Sequence, residues 1–252
     1  MATVITAVAS QKGGTGKTTT ALALASGLAY KGKRVLLIDA DSQANASKVL
    51  LPNYQHIGKD ETLYRTIIDM QPLALHQTAN PRLDITPAHI LLSDTDMQLT
   101  AARDHREARL KNEIVAVQGN YDHILIDCPP AIGWLTLNAF TAADEVIVIV
   151  SPGYFELDSI VQISKTIAET KRYFNPDLTL RGLLFTMSDP TINTTNSLSV
   201  LRKMYGALLL PVIIPRNTDI RDAHFKKQDI YTYAPASKGA LAYARLVEVL
   251  YP

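Results

Sequence analysis

Two lysines, Lys12 and Lys17, enclose Gly13-Gly14-Thr15-Gly16 and are followed by Thr18 and Thr19. Residues of these types at this spacing can hold phosphate. Glycines let successive backbone N–H groups converge on anionic oxygens, and a helix N-terminus behind them adds partial positive charge. Lys17 and Thr18 form the Gly-Lys-[Ser/Thr] end of a P-loop, with Lys17 reaching β/γ-phosphates and the Thr18 hydroxyl binding Mg²⁺. The strict pattern needs a glycine at position 11, but the residue there is Gln11, and Lys12 follows it. A plain strand-to-helix turn would also use glycines. It would not require two lysines and two hydroxyls.

Three aspartates can complete the chemistry. Leu36-Leu37-Ile38-Asp39-Ala40-Asp41 is an apolar run that ends in two acids, and Ile124-Leu125-Ile126-Asp127 is a second run that ends in one. Asp41 can orient the water that attacks a γ-phosphate, because such hydrolysis depends on positioning and charge stabilisation. Asp39 can support the Mg²⁺ shell. Asp127 at its strand end fits a magnesium ligand acting through water. Pro129-Pro130 then stiffen a loop suited to sensing the γ-phosphate. Asp39 and Asp41 can also be read as helix caps at a strand-to-helix loop.

These residues need a sheet whose strands end together. Val4–Ala9, Arg34–Ile38, His123–Ile126 and Glu145–Val150 read as buried parallel strands, short and rich in Val and Ile. Leu180–Thr186 and Leu208–Ile214 are further strands, and Leu83–Thr86 is a short one. Helical stretches fall at Thr18–Tyr30, Leu63–Met70, Asp94–Val117, Ser159–Tyr173, Ser197–Tyr205 and Lys238–Leu250. Within Asp94–Val117, residues 104–109 read as a solvated helix face. The alternation predicts an α/β fold: a single doubly wound domain over residues 1–252 with a mainly parallel central sheet flanked by helices. Ligands of such sheets sit beyond the carboxyl ends of the strands, where the glycine loop falls.

Composition narrows the class. The chain has 252 residues, 47% of them hydrophobic, which suffices for one large core. Its formal net charge is +1, so any nucleic-acid contact must come from a local patch. One cysteine, Cys128, excludes a disulfide framework and fits a reducing cytosol. It reads as a small buried residue. No run of 18 apolar residues occurs, so no membrane span is expected.

The Lys-Gly-Gly-Thr-Gly-Lys-Thr-Thr string at residues 12–19 resembles the deviant Walker A motif of the ParA/MinD ATPase superfamily. The resemblance extends through Asp39-Ala40-Asp41-Ser42-Gln43-Ala44-Asn45 and Asp127-Cys128-Pro129-Pro130. Ile214-Pro215-Arg216-Asn217 and the segment 233–243 are similar to the ParA branch in particular, in its short Soj-like form. The resemblance implies a P-loop NTPase fold and an ATPase that hydrolyses ATP to ADP and phosphate with Mg²⁺ at slow intrinsic turnover. It implies that Lys12 acts in trans across an ATP-dependent homodimer. Lys17 and Asp41 would be catalytic with it. Gly13, Gly14, Thr15, Gly16, Thr18 and Thr19 would line the ATP, with Met187, Pro215 and Arg216 framing the adenine. Thr18, Asp39 and Asp127 would serve the metal. It further implies a ParB-like cargo adaptor as partner and a cytoplasmic, nucleoid-associated place in a prokaryote. Tyr154-Phe155 and the following helix are the candidate partner surface. No N-terminal helix-turn-helix domain and no MinD-type amphipathic tail is expected.

From Ser199 onward there are eight lysines and arginines against four acids. Arg202-Lys203 and Lys226-Lys227 are the sharpest pairs, joined by Arg221 and Lys238. Such a patch predicts salt-dependent binding to double-stranded DNA without sequence preference. The family's usual arginines at positions 219 and in the 189–193 loop are missing; Arg221 can supply the charge. Two other classes compete. One is a metabolic P-loop ligase of dethiobiotin-synthetase type, and the other a MinD-like membrane-associated regulator.

Overall fold

The computed structural model describes residues 2–153 and 156–252. The chain runs β1 (Val4–Ala9), α1 (Lys17–Tyr30), β2 (Val35–Asp39), α2 (Asn45–Leu50), α3 (Leu63–Asp69), β3 (His76–Gln77) and β4 (Leu83–Thr86). It continues with α4 (Thr95–Ala101), α5 (Arg109–Val117), β5 (His123–Asp127), α6 (Trp134–Ala142), β6 (Glu145–Val150) and α7 (Glu156–Tyr173). The last third holds β7 (Thr179–Ser188), α8 (Ile192–Tyr205), β8 (Leu209–Pro215), α9 (Thr218–Phe225), α10 (Ile230–Tyr233) and α11 (Lys238–Leu250). The strand order is β3-β4-β2-β5-β1-β6-β7-β8, and only the β3–β4 pair is antiparallel.

Successive strand residues point to opposite faces, so each strand feeds two cores. Leu36, Ile38, Ile124 and Ile126 face Leu63, Ile67, Ile114, Phe140 and Ile163. Val35, Leu37, Leu125 and Ile147 face Leu24, Leu28, Tyr243 and Leu246 on the other side. This two-sided burial is why the strands read as continuous apolar runs. Because β1 lies between β5 and β6, the winding reverses at its carboxyl end. The crevice for a ligand forms there, and the glycine loop leaves from it.

The strands and the long helices fall where the sequence places them, with three departures. Asp94–Val117 is two helices, α4 and α5, separated by irregular chain. Residues 104–109 are not a solvated helix face. The Arg106 guanidinium donates to the Leu99, Thr100 and Ala102 carbonyls at 3.2, 2.7 and 3.2 Å, and so closes the end of α4. Arg109 is 9% exposed at its side chain and donates to the Ile67 carbonyl at 2.7 Å and to Asp104 at 2.8 Å. Second, α8 begins at Ile192, not Ser197, because the Thr191 hydroxyl accepts from the Thr194 N–H and caps it. Third, the short strand β3 and helices α2, α6, α9 and α10 had no counterpart in the sequence reading. Cys128 is fully buried, as expected, and burial pushes its thiol far above the ordinary range. No described helix is long and apolar enough to cross a membrane.

Candidate nucleotide site

The loop between β1 and α1 takes its shape from two glycines. Gly14 and Gly16 have φ of 76° and 93°, where a β-carbon is strained. Gly16 also lies against β7, whose Thr186 hydroxyl donates to the Thr15 carbonyl at 2.7 Å. No side chain caps the start of α1, and its first turn holds no acid, so its N–H groups remain available to an anion. Gln11, at the position of the missing glycine, reaches α7 through a hydrogen bond to Gln162.

Lys17 is buried, and its ammonium donates to the Lys12 carbonyl at 3.0 Å. Burial lowers its pKa, and the nearby charges of Asp127 and Asp41 partly restore it. The sequence-predicted acids gather behind it. Asp39 and Asp127 are direct partners across the β2–β5 pair. Asp39 accepts from Asp41 N–H at 3.2 Å, from Ser47 N–H at 2.9 Å and from the Ser47 hydroxyl at 2.7 Å. The Ser47 hydroxyl in turn accepts from Ala88 N–H at 2.9 Å. Asp39 therefore anchors the turn that carries Asp41, and most of its acceptor capacity is already used. Asp41 accepts from Gln43 N–H at 3.0 Å, which fixes the carboxylate at the loop's inner edge.

Asp127 differs. It is fully buried, and neither carboxylate oxygen has a hydrogen bond of normal geometry. Burial raises its pKa well above the ordinary range, and the neighbouring Asp39 adds to the rise. The nearby Thr18 hydroxyl and Lys17 oppose it. Burial likewise pushes Asp39 up to about 6 against its hydrogen bonds. An orphaned buried carboxylate beside a threonine hydroxyl fits Mg²⁺, a hard cation that keeps waters and takes oxygen ligands. No group of three or more His, Cys, Asp or Glu side chains able to hold a metal forms among the described residues.

A cleft of about 1000 Å³ opens beside the loop, lined by Lys12, Gly13 and Gly14 of the loop and by Met187, Asp189 and Arg216 at the carboxyl ends of β7 and β8. Lys12, Met187 and Arg216 thus share one cavity. Pro215 pairs with Ser188 at its margin without lining it. No sequence motif assigns Ser47, Thr186 or Asp189 to the site. Only the position of Thr186 and Asp189 at the end of β7 points to the site.

The basic residues are carried by helices on both faces of the sheet. Arg202 and Lys203 are exposed on α8, which packs on one face of the sheet through Leu201. Arg221, Lys226, Lys227 and Lys238 are exposed on α9 and α11 or just beyond α9, which pack on the other face through Ala223 and Ala240. The two groups flank the edge strand β8. Arg221 meets Asp222 at 3.5 Å, and Lys227 donates to the Pro52 carbonyl at 3.3 Å. The candidate partner residues Tyr154 and Phe155 lie outside the described residues.

A glycine loop between a central parallel strand and a helix, backed by a strand-end aspartate, defines a P-loop nucleotide-binding protein. A family model described as AAA domain matches residues 3–180. The chain is 36% identical over 247 residues to the sporulation initiation inhibitor protein Soj of Bacillus subtilis (strain 168), covering 97% of this chain and 96% of that protein. It is 36% identical over 245 residues to the chromosome partitioning protein ParA of Myxococcus xanthus (strain DK1622), covering 96% and 86%. Among solved structures, cobyrinic acid a,c-diamide synthase from Mycobacterium smegmatis with bound ADP and magnesium superposes with a TM-score of 0.80 at 32% identity, covering 98% of this chain and 93% of that one. The chain belongs to the Soj-like ParA branch of the deviant Walker A ATPases.

Proposed function

We propose that this chain is a ParA-type positioning ATPase. ATP and Mg²⁺ bind at the glycine loop, and two chains close face to face with Lys12 of each reaching the other's nucleotide. The dimer holds nucleoid DNA through its backbone phosphates, without sequence preference. A cargo-bound, ParB-like partner stimulates hydrolysis and so releases the chain. The cargo is a chromosome, a plasmid or another large body in the cytoplasm.

One observation carries this reading. Asp127 is fully buried with no hydrogen bond of normal geometry, and only the Thr18 hydroxyl and the Lys17 charge favour its ionised form. Magnesium, when bound, neutralises charge on the phosphate oxygens. Lys17 moves its ammonium from the Lys12 carbonyl to the β/γ-phosphates. Asp127 and Thr18 would hold that ion, Asp127 through water and Thr18 through its hydroxyl. Asp41, held by Gln43 N–H and by the Asp39 anchor, orients the attacking water. Turnover in the isolated chain is slow: among the described residues Arg216 is the arginine that lines the cleft, and it pairs with Asp189 and not with Asp41.

The likeness to the cobyrinic acid a,c-diamide synthase structure favours a second reading, a metabolic P-loop ligase. It predicts fast chemistry on a small acid and no use for DNA. Retention on nonspecific double-stranded DNA separates the two, measured with ATP, ADP and no nucleotide. The positioning reading expects ATP-dependent retention that Lys12→Ala abolishes. It expects Asp41→Ala to stay bound while hydrolysis falls about 100-fold or more. Retention that ignores nucleotide, or none at all, removes the positioning reading and leaves the metabolic one.

A further inference from the structure

The base end of the cleft holds a carboxylate, Asp189, whose two oxygens do different things. One, Oδ1, accepts from the Thr191 hydroxyl at 2.7 Å and from the Thr194 hydroxyl at 2.6 Å. Its two lone pairs are then filled. The other, Oδ2, faces the Arg216 guanidinium at 4.0 Å. The Arg216 backbone is fixed separately, its N–H donating to the Ser188 carbonyl at 2.8 Å. Its side chain is 70% exposed, and Asp189 is the only acid with which its guanidinium pairs among the described residues. Asp189 and Thr194 also form the wall between the cleft and a second cavity of about 410 Å³ that reaches Arg202. The first turn of α8 therefore has open space on both flanks, and the Asp189 clasp is what ties it to β7.

We propose that Asp189 is a positioning residue for the nucleotide base. Through Oδ1 it fixes the start of α8, which brings Asn193, Asn196 and Ser197 to one wall of the cleft. Through Oδ2 it restrains the Arg216 guanidinium, which lines the same cleft as Met187. A planar guanidinium held in advance binds a planar base with less loss of side-chain freedom. This inference rests on the ATP reading above and adds the residue that orders its base end.

Asp189→Asn separates the two arms. It keeps a carbonyl for the threonine hydroxyls and removes the charge that faces Arg216. Binding of ATPγS with Mg²⁺ by titration calorimetry is compared for wild type, Asp189→Asn, Arg216→Ala and the double variant, with Thr191→Ala as the control for the cap. Asp189→Asn and Arg216→Ala each weaken binding about three- to fivefold. The double variant binds no more weakly than Arg216→Ala, because Asp189 acts through Arg216. In ATPase assays Asp189→Asn raises KM and leaves kcat in place, and Thr191→Ala, which loosens the Oδ1 arm and keeps the charge facing Arg216, lowers the melting temperature and raises KM less than Asp189→Asn does. Additive losses, or an Asp189→Asn variant that binds like wild type, overturn the proposal. If wild type binds ATPγS and Arg216→Ala does not change it, the base-end placement falls and the ATPase reading stands. If wild type does not bind, the ATP reading itself falls.

Discussion

The phosphate end and the base end of the cleft use the same residue in opposite ways. Behind the glycine loop Asp39 and Asp127 are fully buried, and burial raises both pKa values. At the base end Asp189 is partly open to solvent, and hydrogen bonds from Thr194 and Thr191, then the charge of Arg216, hold its carboxyl below the ordinary range. Desolvation dominates the first pair and hydrogen bonding the second. The rise of Asp39 from 3.8 to about 6 corresponds to about 3 kcal/mol against its charged form. Asp189 is accessible enough for water to screen its interactions. One end stores an electrostatic demand that a cation satisfies, and the other end organises side chains at little cost.

The sharpest way to break this contrast is to remove the charge from the phosphate end. Asp127→Asn should stabilise the ligand-free protein by about 1–3 kcal/mol in urea unfolding, because it replaces a buried unpaired acid with a neutral isostere. The same variant should lose the Mg²⁺-dependence of ATP binding. A destabilised Asp127→Asn would mean that the carboxylate already has a partner.

A pH series sharpens the comparison further. A raised folded-state pKa means that the folded chain keeps protons the unfolded chain has already released. Stability from such groups is fully present below about 3.8 and is lost as pH rises through the folded value. The advantage of Asp127→Asn over wild type should therefore be largest near neutral pH and shrink as pH falls toward 4. Taking the difference between the two proteins cancels His123 and His224. Burial lowers both of their pKa values, so they act in the opposite direction. A pH-independent difference would remove desolvation as the cause.

The smallest effect belongs to the base end. Thr191→Ala removes the hydroxyl that caps α8 and one donor to Asp189. It should cost about 0.5–1 kcal/mol, read as a modest fall in the urea midpoint with an unchanged slope. A loss as large as the Asp127→Asn gain would make the two ends equal in weight.

The sequence made the phosphate end legible and the base end much less so, for a physical reason. Lys12 to Thr19, Asp39-Ala40-Asp41 and Asp127 are each contiguous, and each sits at the end of an apolar strand. Asp189 gains meaning only from Arg216, which is brought to it by the β7–β8 pairing. The same limit explains the single helix expected over Asp94–Val117. Arg109 breaks it by bonding the Ile67 carbonyl at the end of α3, a contact that local periodicity cannot show. Helix α6 escaped notice because Leu135, Thr136, Asn138, Ala139 and Phe140 are buried all around it, leaving no polar stripe. The basic residues were read as one group because they are close in sequence, yet the edge strand β8 separates them.

Behind Lys17, the side-by-side Asp39 and Asp127 make the empty protein a poorer fold than the loaded one. Whatever satisfies those carboxylates also lowers the fraction of chains that are open to proteases. Nucleotide supply would then influence how long each copy survives. A cell short of MgATP would hold fewer copies of this protein, as well as idler ones.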